Sequence, residues 1–109
     1  MSLDIYTSHI REVVCPHCGK VTGTEVVSTV DSSGRSWYPF LESIGYYVPY
    51  DQRTEENNWY GRDMELTPEQ AQEMYQFLKT HEVYNDYEIS GLIARALLDG
   101  DSVVVNADW

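Results

Sequence analysis

Two cysteines separated by two residues are the side chains whose type and spacing point most directly to chemistry. Cys15 and Cys18 are the two cysteines of the chain, and Gly19 follows the pair. Thiolates at this spacing can bind one metal ion or form a reactive disulfide. A glycine after the second cysteine permits a turn with positive φ, which lets backbone N–H groups point at sulfur. The pattern therefore favours a zinc knuckle.

A structural zinc ion requires four ligands, and one knuckle supplies two of them. The turn resembles the knuckles of zinc ribbons and rubredoxins over residues 15–19. We predict Cys15, Cys18, His9 and His17 as the candidate metal ligands, with zinc as the cofactor. Three outcomes stay open: a site completed by histidine within one chain, a site shared between two copies, and a knuckle without metal.

A thioredoxin-like redox site would place the first cysteine at a helix N-terminus, where the helix dipole lowers the thiol pKa. Here Gly19 and Gly23 flank β-branched residues directly after the pair, and such a segment does not hold a helix. The cysteines are therefore expected at the tip of a β-hairpin.

The arms of that hairpin, Glu12–Val14 and a segment from Lys20 to Val30, are rich in β-branched residues. Further strands are predicted at Leu3–Thr7 and Ser102–Asn106, where the latter pairs with the first or second strand. Three helices are predicted: 37–44 with Ser36 as its cap, one after the Thr67–Gln70 capping box, and one after Asn85.

These elements predict one domain, residues 1–109, of the α+β class. We expect a small antiparallel sheet with a zinc-knuckle-like hairpin, covered on one face by two or three helices. Apolar residues at helical spacing define the faces that pack on the sheet, namely Ala71, Met74, Tyr75, Leu78, Ile89, Leu92, Ile93, Ala96 and Leu97.

Charge limits the classes of partner. Eighteen acidic residues oppose seven basic ones, for a net charge of −11. This balance disfavours nucleic acids and anionic membranes as partners, because both require Lys and Arg for binding. It favours positive partners, either a basic protein surface or cations, and solubility alone is the alternative explanation of the charge. The N-terminal residues lack the pattern of a secretory signal, so a cytoplasmic location is expected.

Aromatic residues crowd the middle of the chain. Tyr and Trp provide large, rigid contact areas with a polar atom, and they dominate the residues that contribute most to protein binding. We predict a partner-binding surface in this segment, formed by Tyr46, Tyr47, Tyr50, Glu55, Glu56 and Trp59. Packing of the same rings over the core is the alternative.

The order of several segments resembles a group of small uncharacterised proteins of actinobacterial phages. The shared segments are Leu3–Tyr6, the Cys-x-x-Cys-Gly turn, Trp37–Gly45, Asn58–Gly61 and the closing valine strand. Where that group often carries an Asn-x-Thr-His-Asn segment, this chain has Thr29–Ser33 and no histidine. The resemblance implies a phage or prophage origin and a location in the host cytosol.

The leading hypothesis is a small acidic accessory protein of phage type that acts by protein–protein interaction, with the knuckle as a structural clasp. One alternative is a small metal- or thiol-dependent enzyme that uses Cys15 and Cys18. A nucleic-acid mimic, with carboxylates spaced like phosphates, is a third.

Overall fold

The computed structural model describes residues 3–109, so Met1 and Ser2 of the predicted domain lie outside the described residues. The fold is α+β, as predicted: a four-stranded antiparallel sheet with three helices packed against it. The strands are β1 (Asp4–Val14), β2 (Val21–Ser33), β3 (Met64–Glu65) and β4 (Ser102–Asp108), in the order β2-β1-β4-β3. The helices are α1 (Tyr38–Ser43), α2 (Pro68–Thr80) and α3 (Asp86–Asp99).

One face of the sheet is buried beneath the helices. Alternate residues of β1 are fully or almost fully buried at Ile5, Thr7 and His9. Their partners on β4 in the same register, Ala107, Val105 and Val103, are buried as well. This period of two is expected for a sheet with one face against the core. Of the two partners predicted for the closing strand, the first or the second strand, the structure has the first.

The hairpin of β1 and β2 extends beyond the rest of the sheet. We predicted the first strand only to Thr7, but β1 continues to Val14. Its pairing with β4 ends at Ile10, whereas its pairing with β2 continues to Val14. Residues 11–27 therefore form a two-stranded projection, here named the hairpin arm. The radius of gyration is 14.7 Å, above the roughly 13 Å expected for a compact chain of this length.

Helix α2 begins as predicted. The Thr67 hydroxyl accepts a hydrogen bond from the Gln70 N–H at 3.1 Å, and the Gln70 side chain accepts one from the Thr67 N–H at 2.9 Å. Asn85 precedes α3 as predicted, but it does not cap the helix. Its φ is 60°, and its side chain donates instead to the carbonyl of Asp31. No helix within residues 3–109 has both the length and the apolar character needed to cross a membrane.

Trp37 anchors the core between the sheet and the helices. Its side chain is fully buried, it packs against Phe40 and Phe77, and its indole N–H donates to the Ser32 hydroxyl at 3.0 Å. Helix α1 has Pro39 in its first turn, as predicted, and Trp37 at the cap position in place of Ser36. The apolar side chains of α2 and α3 complete a single core.

Candidate functional site

The Cys15–Gly19 turn closes the hairpin arm, as the sequence predicts. The Cys15 N–H donates to the Lys20 carbonyl at 2.8 Å, and the Gly19 N–H donates to the Cys15 carbonyl at 2.9 Å. Gly19 has a φ of +71°, a conformation that side chains with a Cβ rarely adopt. Glycine at this position therefore permits the chain to turn from Cys18 back into β2.

The two thiols of the turn are adjacent and free. Cys15 and Cys18 lie 3.3 Å apart, Cys15 is half-buried, and Cys18 is exposed. The pKa of the Cys15 thiol is lowered, chiefly by a hydrogen bond from the His17 backbone and then by the backbone and thiol of Cys18. These donors favour the thiolate form of Cys15, which is the form of cysteine that binds metals and acts as a nucleophile.

His9 does not lie with the other predicted metal ligands. It precedes Cys15 by six residues on an extended strand, a span of about 20 Å. His17 lies within the turn and is exposed. Among residues 3–109, three ligating side chains converge within 4.8 Å only at His9, Asp99 and Asp101, and no such group includes Cys15 or Cys18. Within residues 3–109, no third ligating side chain therefore joins Cys15 and Cys18.

The His9 cluster is an ion-pair network and lacks the character of a metal site. The Nε2 of buried His9 lies 2.6 Å from Oδ2 of Asp101, which also accepts from Nε of Arg11 at 3.1 Å. Guanidinium groups of Arg11 and Arg95 both bond Asp99. Two arginines already neutralise the two carboxylates, so their positive charge would repel a metal cation at this point.

Asp101 should make the stability of the protein depend on pH in the acid range. Its hydrogen bond with His9 holds the pKa of Asp101 below its usual range, and Arg11 adds to the effect while burial opposes it. The Asp101 carboxylate therefore binds a proton more readily in the unfolded chain than in the folded one. Its contribution to the free energy of unfolding is present above about pH 4 and is lost as the pH falls towards the folded-state pKa.

Melting temperature measured across that pH range tests this contribution. Asp101→Asn should flatten the acid side of the curve, whereas Asp51→Asn, which removes an exposed carboxylate, should not. Equal curves for the two variants would contradict the role given to Asp101.

The predicted partner-binding surface is only partly at the surface. The side chain of Tyr46 is fully buried, so its prediction as a contact residue is corrected. Its hydroxyl donates to the Arg62 carbonyl at 2.7 Å and accepts from the Ala107 N–H at 2.7 Å. The Tyr46 side chain is stable in the core because its ring is apolar and its hydroxyl bonds the backbone of Arg62, before β3, and of Ala107, in β4.

The remaining aromatic residues contact one another and two arginines. Tyr47 packs edge-to-face on Trp109, with ring centroids 5.1 Å apart. The Arg53 guanidinium lies within 6 Å of the ring centroids of Tyr47, Tyr50 and Trp109. Arg62 covers Trp59 at 5.0 Å. These rings therefore have intramolecular cation–π partners, and of the predicted contact residues Tyr50, Glu55 and Glu56 remain exposed.

A groove between α2 and α3 was missed by the sequence interpretation. It has a volume of about 930 Å³ and an apolar floor to which Tyr75, Leu97 and Leu98 contribute, while Glu69 and Glu73 stand on the α2 side. Leu98 is 81% exposed. The available signal was Leu98, a large apolar residue of α3 that lies outside the apolar stripe ending at Leu97.

Comparisons with models of protein families, with curated proteins and with solved structures found no match to this chain.

Proposed function

We propose that the protein is a small acidic binding protein whose groove between α2 and α3 accepts a basic amphipathic helix of a partner protein. The observation that carries this proposal is the highly exposed Leu98 in an apolar groove that Glu69 and Glu73 border. Contiguous apolar patches rimmed by polar residues are characteristic of interaction sites.

Charge favours a basic occupant. Helices α2 and α3 together carry five acidic and two basic residues, in a chain with a net charge of −11. An apolar stripe flanked by Lys or Arg would place its leucines on the floor and its cations beside Glu69 and Glu73. The resemblance to small phage proteins makes a cytosolic host protein the expected partner.

A synthetic amphipathic helix with a leucine stripe and flanking lysines is a direct probe, with a glutamate-flanked version as its control. Fluorescence anisotropy should show binding of the lysine peptide and weak or no binding of the glutamate peptide. Leu98→Lys should raise the Kd about tenfold or more, since it places a cation in the groove.

Tyr87→Lys is the matched control for Leu98→Lys. Tyr87 is on the same helix and 86% exposed, and it lies outside the groove. Equal weakening by both variants, no binding of the lysine peptide, or loss of binding on Tyr50→Ala alone would each reject the groove. The last of these results would place the contact at the predicted partner-binding surface that includes Tyr50.

Thiol–disulfide catalysis is the second candidate, and the lowered pKa of Cys15 is the observation that favours it. The thiols lie in a hairpin turn, without the helix N-terminus that activates thioredoxin-like sites. Reduction of insulin disulfides by the dithiol form is the test. Activity that is abolished by Cys15→Ser would support catalysis.

A further inference from the structure

The tip of the hairpin arm has the properties of half a tetrahedral thiolate site. Tetrahedral zinc with Zn–S bonds of about 2.3 Å places two sulfurs about 3.8 Å apart. Cys15 and Cys18 lie 3.3 Å apart and their side chains share a hydrogen bond, so their sulfurs need only a small adjustment to reach that spacing. Backbone N–H groups of His17 and Cys18 point at the Cys15 sulfur, as donors around metal-bound sulfur do.

One chain leaves this site incomplete. Within residues 3–109, no third Cys, His, Asp or Glu ligand atom lies within 4.8 Å of both cysteine sulfurs. Zinc in a closed structural site takes four ligands, and sulfur is among its preferred donors. A second Cys15–Cys18 pair would supply the missing two ligands in the same geometry.

The charge of the hairpin arm favours contact with the hairpin arm of a second copy of the chain. Residues 11–27 contain two basic residues, Arg11 and Lys20, and two acidic ones, Glu12 and Glu25. The arm is thus formally neutral, and the net charge of −11 resides in the rest of the chain. Two tips can therefore approach while the acidic bodies, which repel each other, stay apart.

Apolar side chains on the arm also lack cover. Five valines of the arm are more than one-third exposed: Val13, Val14, Val21, Val26 and Val27. The arm lies beyond the end of the β1–β4 pairing, so β4 does not shield it. A neutral ribbon with uncovered valines fits an apolar, neutral partner, and a second arm has both properties.

We propose that two copies of the chain join at their hairpin tips and bind one zinc ion through Cys15 and Cys18 of each copy. Four S–H groups release their protons to solvent and four Zn–S bonds form, with no change of oxidation state. Zinc would stabilise the fold of the two hairpin tips and hold the grooves of both copies in one dimer. This dimer is independent of groove binding, so the two proposals can fail separately.

The test adds Zn²⁺ alone to the reduced, metal-free full-length protein and measures mass by light scattering and metal by elemental analysis. We expect one zinc per two chains and a doubling of mass, both reversed by a chelator. Cobalt in place of zinc should give the absorption bands of tetrahedral thiolate coordination.

Cys15→Ser and Cys18→Ser should each abolish the dimer and the cobalt bands, while His17→Ala should retain both. Circular dichroism would show that the variants are folded, which is expected for substitutions in an exposed turn. One zinc per monomer that is lost on His17→Ala, a dimer insensitive to chelator, or failure of reduced protein to bind zinc would each overturn the proposal.

Discussion

Replacing Trp37 with alanine should lower the free energy of unfolding by about 3–5 kcal/mol, the cost of removing a large aromatic side chain from a packed core. Trp37 is fully buried, and its ring contacts Phe40 of α1 and Phe77 of α2. A domain of this size has a total stability of about 5–15 kcal/mol. Urea denaturation followed by circular dichroism should show a large decrease in the midpoint or an unfolded protein.

Two smaller changes separate the contributions of the Trp37 ring. Trp37→Phe keeps an aromatic ring and removes the indole N–H, so it should cost less than Trp37→Ala. Ser32→Ala removes the acceptor of that N–H and also the hydroxyl that donates to the Tyr84 carbonyl. A Trp37→Ala variant as stable as the Ser32→Ala variant would contradict the packing role.

Removing the Tyr46 hydroxyl should destabilise the protein by about 1–3 kcal/mol, although Tyr46→Phe leaves the ring in place. The hydroxyl accepts the Ala107 N–H at 2.7 Å, and Ala107 is fully buried. Phenylalanine would leave that N–H in the core without its partner, which costs more than an ordinary hydrogen bond. Urea denaturation again measures the change.

Tyr87→Phe provides the reference for Tyr46→Phe, because Tyr87 is 86% exposed. It should change the free energy of unfolding by at most a few tenths of a kcal/mol. If both variants lose the same small amount, the Tyr46 hydroxyl does not link the loop to β4.

Short sequence patterns predicted the elements whose structure depends mainly on neighbouring residues, namely the start of α2, the hairpin and the buried face of α3. Thr67, Pro68 and Gln70 define the start of α2 without help from the rest of the chain. Gly19 and the valine-rich arms likewise predict a hairpin with cysteines at its tip. The apolar stripe of α3 predicted the buried residues Ile89, Leu92, Ile93 and Ala96.

Contacts between distant residues were not available from such signals. The partner of His9 is Asp101, 92 residues away, so the sequence suggested a nearby metal site instead. Tyr46 was predicted as a contact residue because the sequence does not show which distant residues cover an aromatic side chain in a loop. Here Tyr46 is covered by Trp59 and Trp109. The groove depends on how α2 and α3 pack together, which helical periodicity alone does not determine.

The number of strands that pair with β1 changes along its length, and this difference predicts two regions of different local stability. Up to Ile10 the strand has a neighbour on both sides, whereas from Arg11 to Val14 it pairs with β2 alone. Two-stranded ribbons are marginally stable by themselves, so the hairpin arm can open while the remaining sheet stays paired. A ligand at the tip would then shift the opening equilibrium of the arm by mass action. If the tips bind zinc as proposed, oxidation of the cysteines or loss of the metal should change the order of the arm and leave the core folded.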